Sequence, residues 1–205
     1  MSLSARLTAL GEPSVLAQLD HPTLRGIADG TLDPEVFRSW LEQDYLFLLD
    51  YVRVFSRLAW QAPDEHLGDL VDLAHNTWHE ELRLHRGLAA EFGAMLDIAR
   101  KGPACAGYSG FLLDSAADYG TGLAAMLPCM WGYSEIGQRL AHRTPADSRY
   151  AAWVGTYSDP AFAALAARCA QMLDEAHAKG LVTEEAAEAA FRKALDHELA
   201  FWDVP

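Results

Sequence analysis

The sequence predicts an all-α protein, a helical bundle that folds as one domain over residues 1–205. Apolar residues recur at helical spacing along almost every segment, while β-branched runs and hairpin dipeptides are scarce. With 205 residues, 51% of them hydrophobic, the chain is long enough to bury a sizeable core and short for two full domains.

Capping residues and helix breakers divide the first part of the chain. One or two short helices are expected before Gly30, and Asp33 followed by Pro34 predicts the start of a long helix that reaches about Gln61. The buried stripe of that helix is predicted as Phe37, Leu41, Asp44, Leu48, Tyr51 and Phe55. A carboxylate on an apolar face is costly unless it is paired, so either Asp44 has a role or it lies at the edge of a rotated stripe.

Pro63 and Asp64 are expected to begin the next helix, which runs to about Phe92. Its predicted buried stripe comprises Leu67, Val71, Ala74, Trp78, Glu81 and His85. Glycines and a proline in residues 96–107 predict a connection there, followed by a helix over about Ser109–Tyr119.

The stretch MLPCMWGYSEIG, residues 126–137, lies in a helix that is expected to follow a break at 120–122 and to run to about His142. Pro128 cannot donate the usual hydrogen bond to the Ala124 carbonyl, which predicts a loosened turn beside Cys129. Because Cys129 and Tyr133 are four residues apart, their side chains are expected on one face of this helix.

Three helices are expected after a turn at residues 144–148. The first is short and ends near Tyr157, the second is capped by Asp159 and reaches about Gly180, and the third is capped by Thr183. The buried positions of the third are predicted as Ala187, Phe191, Ala194, Glu198 and Phe201 or Trp202. A second carboxylate, Glu198, therefore falls on an apolar stripe.

Three separate helices thus each place one reactive side chain among apolar neighbours, namely Asp44, Cys129 and Glu198. Singly, each has a structural explanation, since most buried cysteines are inert and a carboxylate can lie at the edge of a stripe. Together they predict a pocket between helices that contains a nucleophile and two carboxylates and suits a flat heterocycle. Its expected aromatic neighbours are Tyr45, Phe47, Tyr133, Tyr157 and Trp202.

The other two thiols, Cys105 and Cys169, are not part of this predicted pocket. Three cysteines at wide spacing suit neither a disulfide framework nor a zinc site of the CxxC type, so all are expected to be free, with Cys169 as ordinary packing. The formal net charge of -13 disfavours nucleic acid and anionic membranes as partners. Without a secretory pattern or a run of 18 apolar residues, the protein is expected to be cytoplasmic.

Five phrases carry a resemblance to the TenA/THI-4 family, thiaminase II. In chain order they are HPTLRGIADGTL, FRSWLEQDYLFL, AAMLPCMWGYSEIG, WVGTYSD and HELAFWD. The resemblance implies a heme oxygenase-like helical fold, usually a homotetramer, that hydrolyses aminopyrimidines without a cofactor or metal. The implied substrates are thiamin and 4-amino-5-aminomethyl-2-methylpyrimidine, and the implied product is the hydroxymethylpyrimidine used in thiamin salvage.

The resemblance also implies roles by position. Cys129 resembles the nucleophile, Glu198 the general acid/base, and Asp44 the carboxylate that binds the pyrimidine. The chemistry agrees with these roles, because a thiolate adds to a pyrimidine ring carbon more readily when a ring nitrogen accepts a proton. A carboxyl group whose pKa is raised by burial could donate that proton.

The implied aromatic and phenolic wall contains Phe47, Tyr133 and Tyr157. At one place the sequence departs from the family: Phe111 stands where members commonly have a tyrosine on the helix before the cysteine helix. Tyr108, about one turn earlier, could replace the missing phenol. The preference for substrate and the rate depend on whether it does.

Two alternative functions remain open. A diiron oxidase of the same fold would use carboxylates and imidazoles at helical spacing. Its ligands would come from Asp72, His75, His79, Glu81, His85 and His197, although the first three do not share the stripe of Glu81 and His85. A catalytically weak pyrimidine-binding or regulatory protein would bind the ring without turnover.

Overall fold

The computed structural model describes residues 1–203, and all regular secondary structure in these residues is helical. The elements are α1 (Leu3–Leu19), α2 (Pro22–Asp29), α3 (Pro34–Gln61), α4 (Asp64–Asn76), a π turn (Thr77–Glu81), α5 (Leu82–Phe92), α6 (Pro103–Ser115), α7 (Tyr119–Ala141), α8 (Ala151–Tyr157), α9 (Pro160–Ala178) and α10 (Glu184–Phe201). The all-α prediction is confirmed. The last two residues of the predicted domain, 204 and 205, lie outside the described part.

The predicted capping residues begin their helices. Asp33, Asp159 and Thr183 each accept a hydrogen bond from a backbone N–H in the first turn of α3, α9 and α10. Such caps satisfy donors that have no partner within the helix. None of these ten helices is both long and apolar enough to cross a membrane.

Helix α7 is the centre of the bundle and packs against α8, α9 and α10. It continues through Pro128 without interruption, and the predicted break at residues 120–122 is wrong. Gly120 and Gly122 instead allow close packing, since a Cβ on them would come within 2.6 Å of the Leu181 carbonyl oxygen and the Leu58 side chain respectively. The glycines are thus explained by neighbouring chain segments.

Helix α6 begins six residues earlier than predicted and ends at Ser115. Gly102 is its N-cap and Pro103 its first residue, a combination that suits the start of a helix as well as a loop. The earlier start brings Tyr108 into the second turn of α6, where its side chain is buried against α10.

The stripe predicted for α4 is wrong. Leu67, Val71 and Trp78 are 42%, 52% and 45% exposed. The buried positions up to the π turn are His66, Leu70, Leu73 and Thr77. The Leu82 N–H bonds the Thr77 carbonyl five residues back, so the π turn inserts one residue into the helical repeat. Buried positions consequently step by five there, from Thr77 to Leu82, before reaching His85.

An aromatic cluster fixes the end of α10 in the core. Trp40 and Trp202 stack at 5.3 Å between ring centroids, and Trp153 meets Trp40 edge-on at 5.6 Å. The indole N–H of Trp202 donates to the Gln18 side-chain oxygen at 2.9 Å. Aromatic pairs of this kind contribute about 0.5–1.5 kcal/mol each beyond area burial, so the cluster holds α10 at a defined distance from α3 and α8.

Candidate active site

The reactive side chains predicted on α3, α7 and α10 lie in one buried region. Asp44 and Glu198 are each 2% exposed, and Cys129 is 9% exposed. Burial raises the pKa of the Cys129 thiol well above its usual value, and the charges of Glu198 and Asp44 raise it further. The two carboxyl groups are therefore within electrostatic range of the sulfur.

Glu198 is a carboxylic acid in this environment. Burial raises its pKa to about 8, nearby Asp44 adds to the rise, and the hydrogen bond from Tyr108 opposes it. The Tyr108 hydroxyl donates to Oε1 of Glu198 at 2.5 Å. At neutral pH Glu198 thus holds a proton in the interior, which is the state that a general acid needs.

Asp44 is paired with His85 of α5. Nε2 of His85 lies 2.6 Å from Oδ2 of Asp44, and Nδ1 lies 2.8 Å from the Glu81 carbonyl oxygen. Since a carbonyl can only accept, Nδ1 carries a proton. Burial lowers the pKa of His85, but the hydrogen bond and charge of Asp44 outweigh it and raise the pKa overall. This favours an imidazolium that donates to Asp44.

Sequence reasoning missed the roles of His85 and Tyr51. The sequence pattern predicts His85 as a buried residue and a possible iron ligand, and Tyr51 as a core residue of α3. The Tyr51 hydroxyl donates to the Met126 carbonyl at 2.9 Å. Burial raises the pKa of this hydroxyl, and the charge of nearby Cys129 raises it further. The sequence signal that points to them is that both fall on predicted buried stripes, Tyr51 on the stripe that also contains Asp44.

Aromatic rings surround the reactive groups. The ring of Phe47 lies 4.9 Å from that of Tyr108, and the ring of Tyr133 lies 5.0 Å from that of Tyr157. All four side chains are buried. Trp202 also reaches this region, since it stacks on Tyr133 at 5.8 Å.

Two aromatic residues predicted for the site lie elsewhere. Phe111 is partly buried on α6 and stacks on His197 at 5.2 Å, so Tyr108 is the α6 side chain that contacts Glu198. Tyr45 is also partly buried and faces the Arg86 guanidinium at 5.8 Å. The phenol that the family pattern places on α6 is therefore available from Tyr108, one turn before Phe111.

The six residues of the diiron alternative do not converge. Asp72, His75 and His79 are exposed on the α4 side, while His85 is engaged with Asp44, and His197 stacks on Tyr108. Within residues 1–203, no three His, Cys, Asp or Glu side chains are arranged to share a metal ion. A dinuclear iron site needs several such ligands in one place.

Sequence comparison identifies relatives along nearly the whole chain. Residues 11–204 match the TENA/THI-4/PQQC family. An aminopyrimidine aminohydrolase of Halalkalibacterium halodurans is 34% identical over 215 residues, which cover 100% of this chain and 95% of that protein. An aminopyrimidine aminohydrolase of Helicobacter pylori is 28% identical over 195 residues, with coverage of 91% and 90%.

Solved structures give the same relationship at the level of the fold. A TenA homologue of Pyrococcus furiosus has a TM-score of 0.91 at 24% identity and covers 98% of both chains. A TenA homologue of P. horikoshii OT3 has a TM-score of 0.89 at 23% identity, with coverage of 99% and 97%. With this shared fold and a family match from residue 11 to residue 204, the chain belongs to the TENA/THI-4/PQQC family.

Proposed function

We propose that this protein is an aminopyrimidine hydrolase of the thiaminase II type that acts in thiamin salvage with Cys129 as its nucleophile. The observation that carries the proposal is the burial of a thiol, a protonated carboxyl group and a carboxylate–histidine pair in one aromatic site. The relatives that are named aminopyrimidine aminohydrolases support the reaction class, the hydrolysis of a carbon–nitrogen bond.

Asp44 is the proposed anchor for the pyrimidine. His85 bonds only its Oδ2 atom, which leaves Oδ1 to accept a hydrogen bond from the amino group of a 4-aminopyrimidine. Phe47 and Tyr133 provide apolar ring surface for the heterocycle. The binding energy of this arrangement holds the ring close to Cys129 and Glu198, which replaces a bimolecular encounter with an intramolecular step.

The proposed chemistry begins with two proton transfers through Glu198. Glu198 donates its proton to a ring nitrogen, and the resulting carboxylate takes the proton of the Cys129 thiol. The sulfur adds its electron pair to the adjacent ring carbon, which breaks the aromaticity of the ring. A carboxyl group with a pKa of about 8 suits this exchange, since neither protonation state is far from neutral pH.

The adduct then exchanges its leaving group for water. The electron pair of the ring nitrogen expels the amine from the exocyclic methylene, and the amine takes both electrons of the C–N bond. Water adds to the methylene carbon, and the released amine takes the proton that the water loses. Glu198, which holds the proton taken from the thiol, gives that proton to sulfur as the C–S bond breaks and takes the ring proton, which restores aromaticity. The sum is one water consumed, one amine released and one hydroxymethylpyrimidine formed.

The experiment is a product assay with thiamin and 4-amino-5-aminomethyl-2-methylpyrimidine in parallel, with hydroxymethylpyrimidine measured by chromatography and mass spectrometry. The proposal predicts formation of this product from at least one of them. Binding of the pyrimidine without product would instead support the binding or regulatory alternative. Turnover that requires added iron and dioxygen would support the diiron alternative.

A further inference from the structure

Four aromatic rings form a row beside Glu198. The imidazole of His197 lies parallel to the Tyr108 ring, with 5.3 Å between the centroids and 8° between the planes. The Phe111 ring stacks on the same imidazole at 5.2 Å and 30°. On the buried side, the Tyr108 ring meets that of Phe47 at 4.9 Å. Phe111 and His197, which have no part in the proposed chemistry, thus form the outer half of this row.

Tyr108 contacts two consecutive residues of α10. Its hydroxyl donates to Oε1 of Glu198, and its ring meets the imidazole of His197. Consecutive residues of a helix point in directions about 100° apart, so one side chain can enter the core while the other lies along a neighbouring helix. Cε1 of His197 is 3.8 Å from the position that a Cβ on Gly107 would take. His197 therefore packs along α6, the helix that carries Tyr108.

The hydrogen bond from Tyr108 bears on which oxygen of Glu198 carries the proton. A protonated carboxyl group has one hydroxyl oxygen and one oxygen that only accepts. Because Tyr108 donates to Oε1, the proton of Glu198 is favoured on Oε2. The phenol oxygen lies at the far end of its side chain, and a hydrogen bond weakens steeply as its geometry departs from the optimum. A small tilt of the Tyr108 ring would therefore leave the acid without a fixed orientation.

His197 suits this contact because it supplies a flat ring that is uncharged at neutral pH. Burial lowers the pKa of His197, the charge of Lys193 lowers it further, and that of Asp196 opposes both. A neutral imidazole places no positive charge beside Glu198, so it does not favour the ionised form of the proposed acid. Parallel rings that are offset at this distance attract each other. The contact with Tyr108 thus depends on the face of the imidazole and needs no ion pair.

We propose that His197 is a positioning residue, which holds the Tyr108 ring by stacking so that the Tyr108 hydroxyl orients the acid Glu198. Phe111 supports the imidazole from its other neighbour in the row. The inference rests on the proposed hydrolase function and adds to it a residue that acts through Tyr108. An aromatic ring at position 197 meets the requirement, whereas an aliphatic side chain of similar size does not.

The test removes the ring of His197 and keeps most of its volume. His197→Leu removes the flat face, and His197→Phe restores it without the ring nitrogens. Tyr108→Phe removes the hydroxyl through which His197 is proposed to act. kcat and KM for 4-amino-5-aminomethyl-2-methylpyrimidine are measured for each variant and for the double variant of Tyr108→Phe with His197→Leu. His142→Leu, at an exposed position after α7, is the control, and thermal unfolding verifies that each variant is folded.

His197→Leu should lower kcat about three- to tenfold, which corresponds to the loss of one aromatic pair, and change KM less than about twofold. His197→Phe should stay within about twofold of the wild type, and His142→Leu should match it. In the Tyr108→Phe protein, His197→Leu should have no further effect, because both changes act on one hydrogen bond. An undiminished kcat in His197→Leu, an equal loss in His197→Phe, or losses that multiply in the double variant would overturn the proposal.

A second readout does not require turnover. The infrared absorption of the protonated Glu198 carboxyl group, identified by its absence in Glu198→Gln, is followed as a function of pH. Because the Tyr108 hydrogen bond lowers the pKa of Glu198, its loss in His197→Leu should move the titration midpoint upward by about 0.5 pH unit or more, while His197→Phe should leave it in place. An unchanged midpoint in His197→Leu would contradict the positioning role. If the midpoint moved as expected but the wild-type protein hydrolysed no aminopyrimidine, the hydrolase function would be refuted and the positioning of Tyr108 by His197 would stand.

Discussion

Burial decides the protonation state of Glu198 at neutral pH. Its pKa is raised to about 8, and the groups that face it are Tyr108 on α6, Asp44 on α3 and Cys129 on α7. The Tyr108 hydrogen bond lowers the pKa but does not offset burial and the charge of Asp44. The neutral acid is therefore the resting form at pH 7.

The first prediction concerns pH. Because the protonated form of Glu198 is proposed to start the reaction, kcat/KM for an aminopyrimidine substrate should be highest below pH 8 and fall as the pH rises through about 8. Glu198→Gln keeps a similar shape but cannot transfer a proton, so its kcat/KM should be at least about a hundredfold lower than that of the wild type. The kcat/KM of this variant should also show no fall as the pH rises through about 8. If the kcat/KM of Glu198→Gln still fell near pH 8, the fall would belong to a group other than Glu198.

The second prediction concerns the Asp44–His85 pair. His85→Leu removes the donor 2.6 Å from Asp44, and leaving a buried polar group unsatisfied costs about 1–3 kcal/mol, more for a charged one. Because Asp44 is proposed to bind the ring in both ground and transition states, KM should rise about tenfold or more while kcat changes less. His79→Leu, on an exposed position of the π turn, is the matched control. A fall in kcat alone would contradict the binding role.

At the scale of elements, the end of α8 is placed by its contact with α7. A Cβ on Gly137 would lie 2.4 Å from the Tyr157 carbonyl carbon and 2.7 Å from the Ser158 nitrogen. This close approach brings Tyr157 beside Tyr133 in the site. Gly132, on the same helix, has no atom within 4 Å of the corresponding position.

The third prediction follows from this pair of glycines. Gly137→Ala should force α8 away from α7, lower the free energy of unfolding by about 1–3 kcal/mol and reduce kcat/KM. Gly132→Ala should raise stability by up to about 1 kcal/mol, because alanine favours the helix, and leave activity unchanged. Thermal unfolding and steady-state kinetics on both variants measure the difference. Equal behaviour of the two would show that the α7–α8 contact tolerates a methyl group.

Helical periodicity and caps are enough to predict most elements, but not the face that α4 buries. Two stripes on α4 repeat at helical spacing, and the more apolar one, with Leu67 and Val71, is the exposed one. The extra residue of the π turn also has no sequence signature that spacing reveals. The start of α6 was missed for a related reason, since Gly102 and Pro103 suit both a loop and a helix start.

The same limit explains which site residues could be predicted. Asp44 and Glu198 can be identified from the sequence because each is a carboxylate at a position where the helical pattern predicts a buried apolar side chain, and burying an unpaired carboxylate is costly. His85 and Tyr51 act through partners on other helices, and a contact between helices depends on their packing, which no spacing within one helix encodes.

At the scale of the whole molecule, three large apolar side chains on α4 and the π turn are exposed. Leu67, Val71 and Trp78 repeat at helical spacing and remain 42–52% exposed. Exposed apolar side chains grouped in this way favour association between protein chains. We therefore propose that copies of this chain pack through this face in the homotetramer that the family resemblance implies.

The fourth prediction tests that assembly. Light scattering after size exclusion should give the wild-type protein a mass of four 22.5 kDa chains, and Val71→Glu should reduce it, because a charge would be buried in the interface. Leu16→Glu, at a 49% exposed position on α1, should leave the mass unchanged. A wild-type protein that is monomeric at micromolar concentration would contradict the proposal.

The fifth prediction concerns the central claim, that Cys129 is the nucleophile. The measurement is the initial rate of hydroxymethylpyrimidine formation by Cys129→Ala, with Cys105→Ala as the control because Cys105 is also buried and free. Removing the sulfur should lower the rate at least about a hundredfold, since no covalent adduct can form, whereas Cys105→Ala should stay within about threefold of wild type. Full hydrolysis by Cys129→Ala would contradict the account.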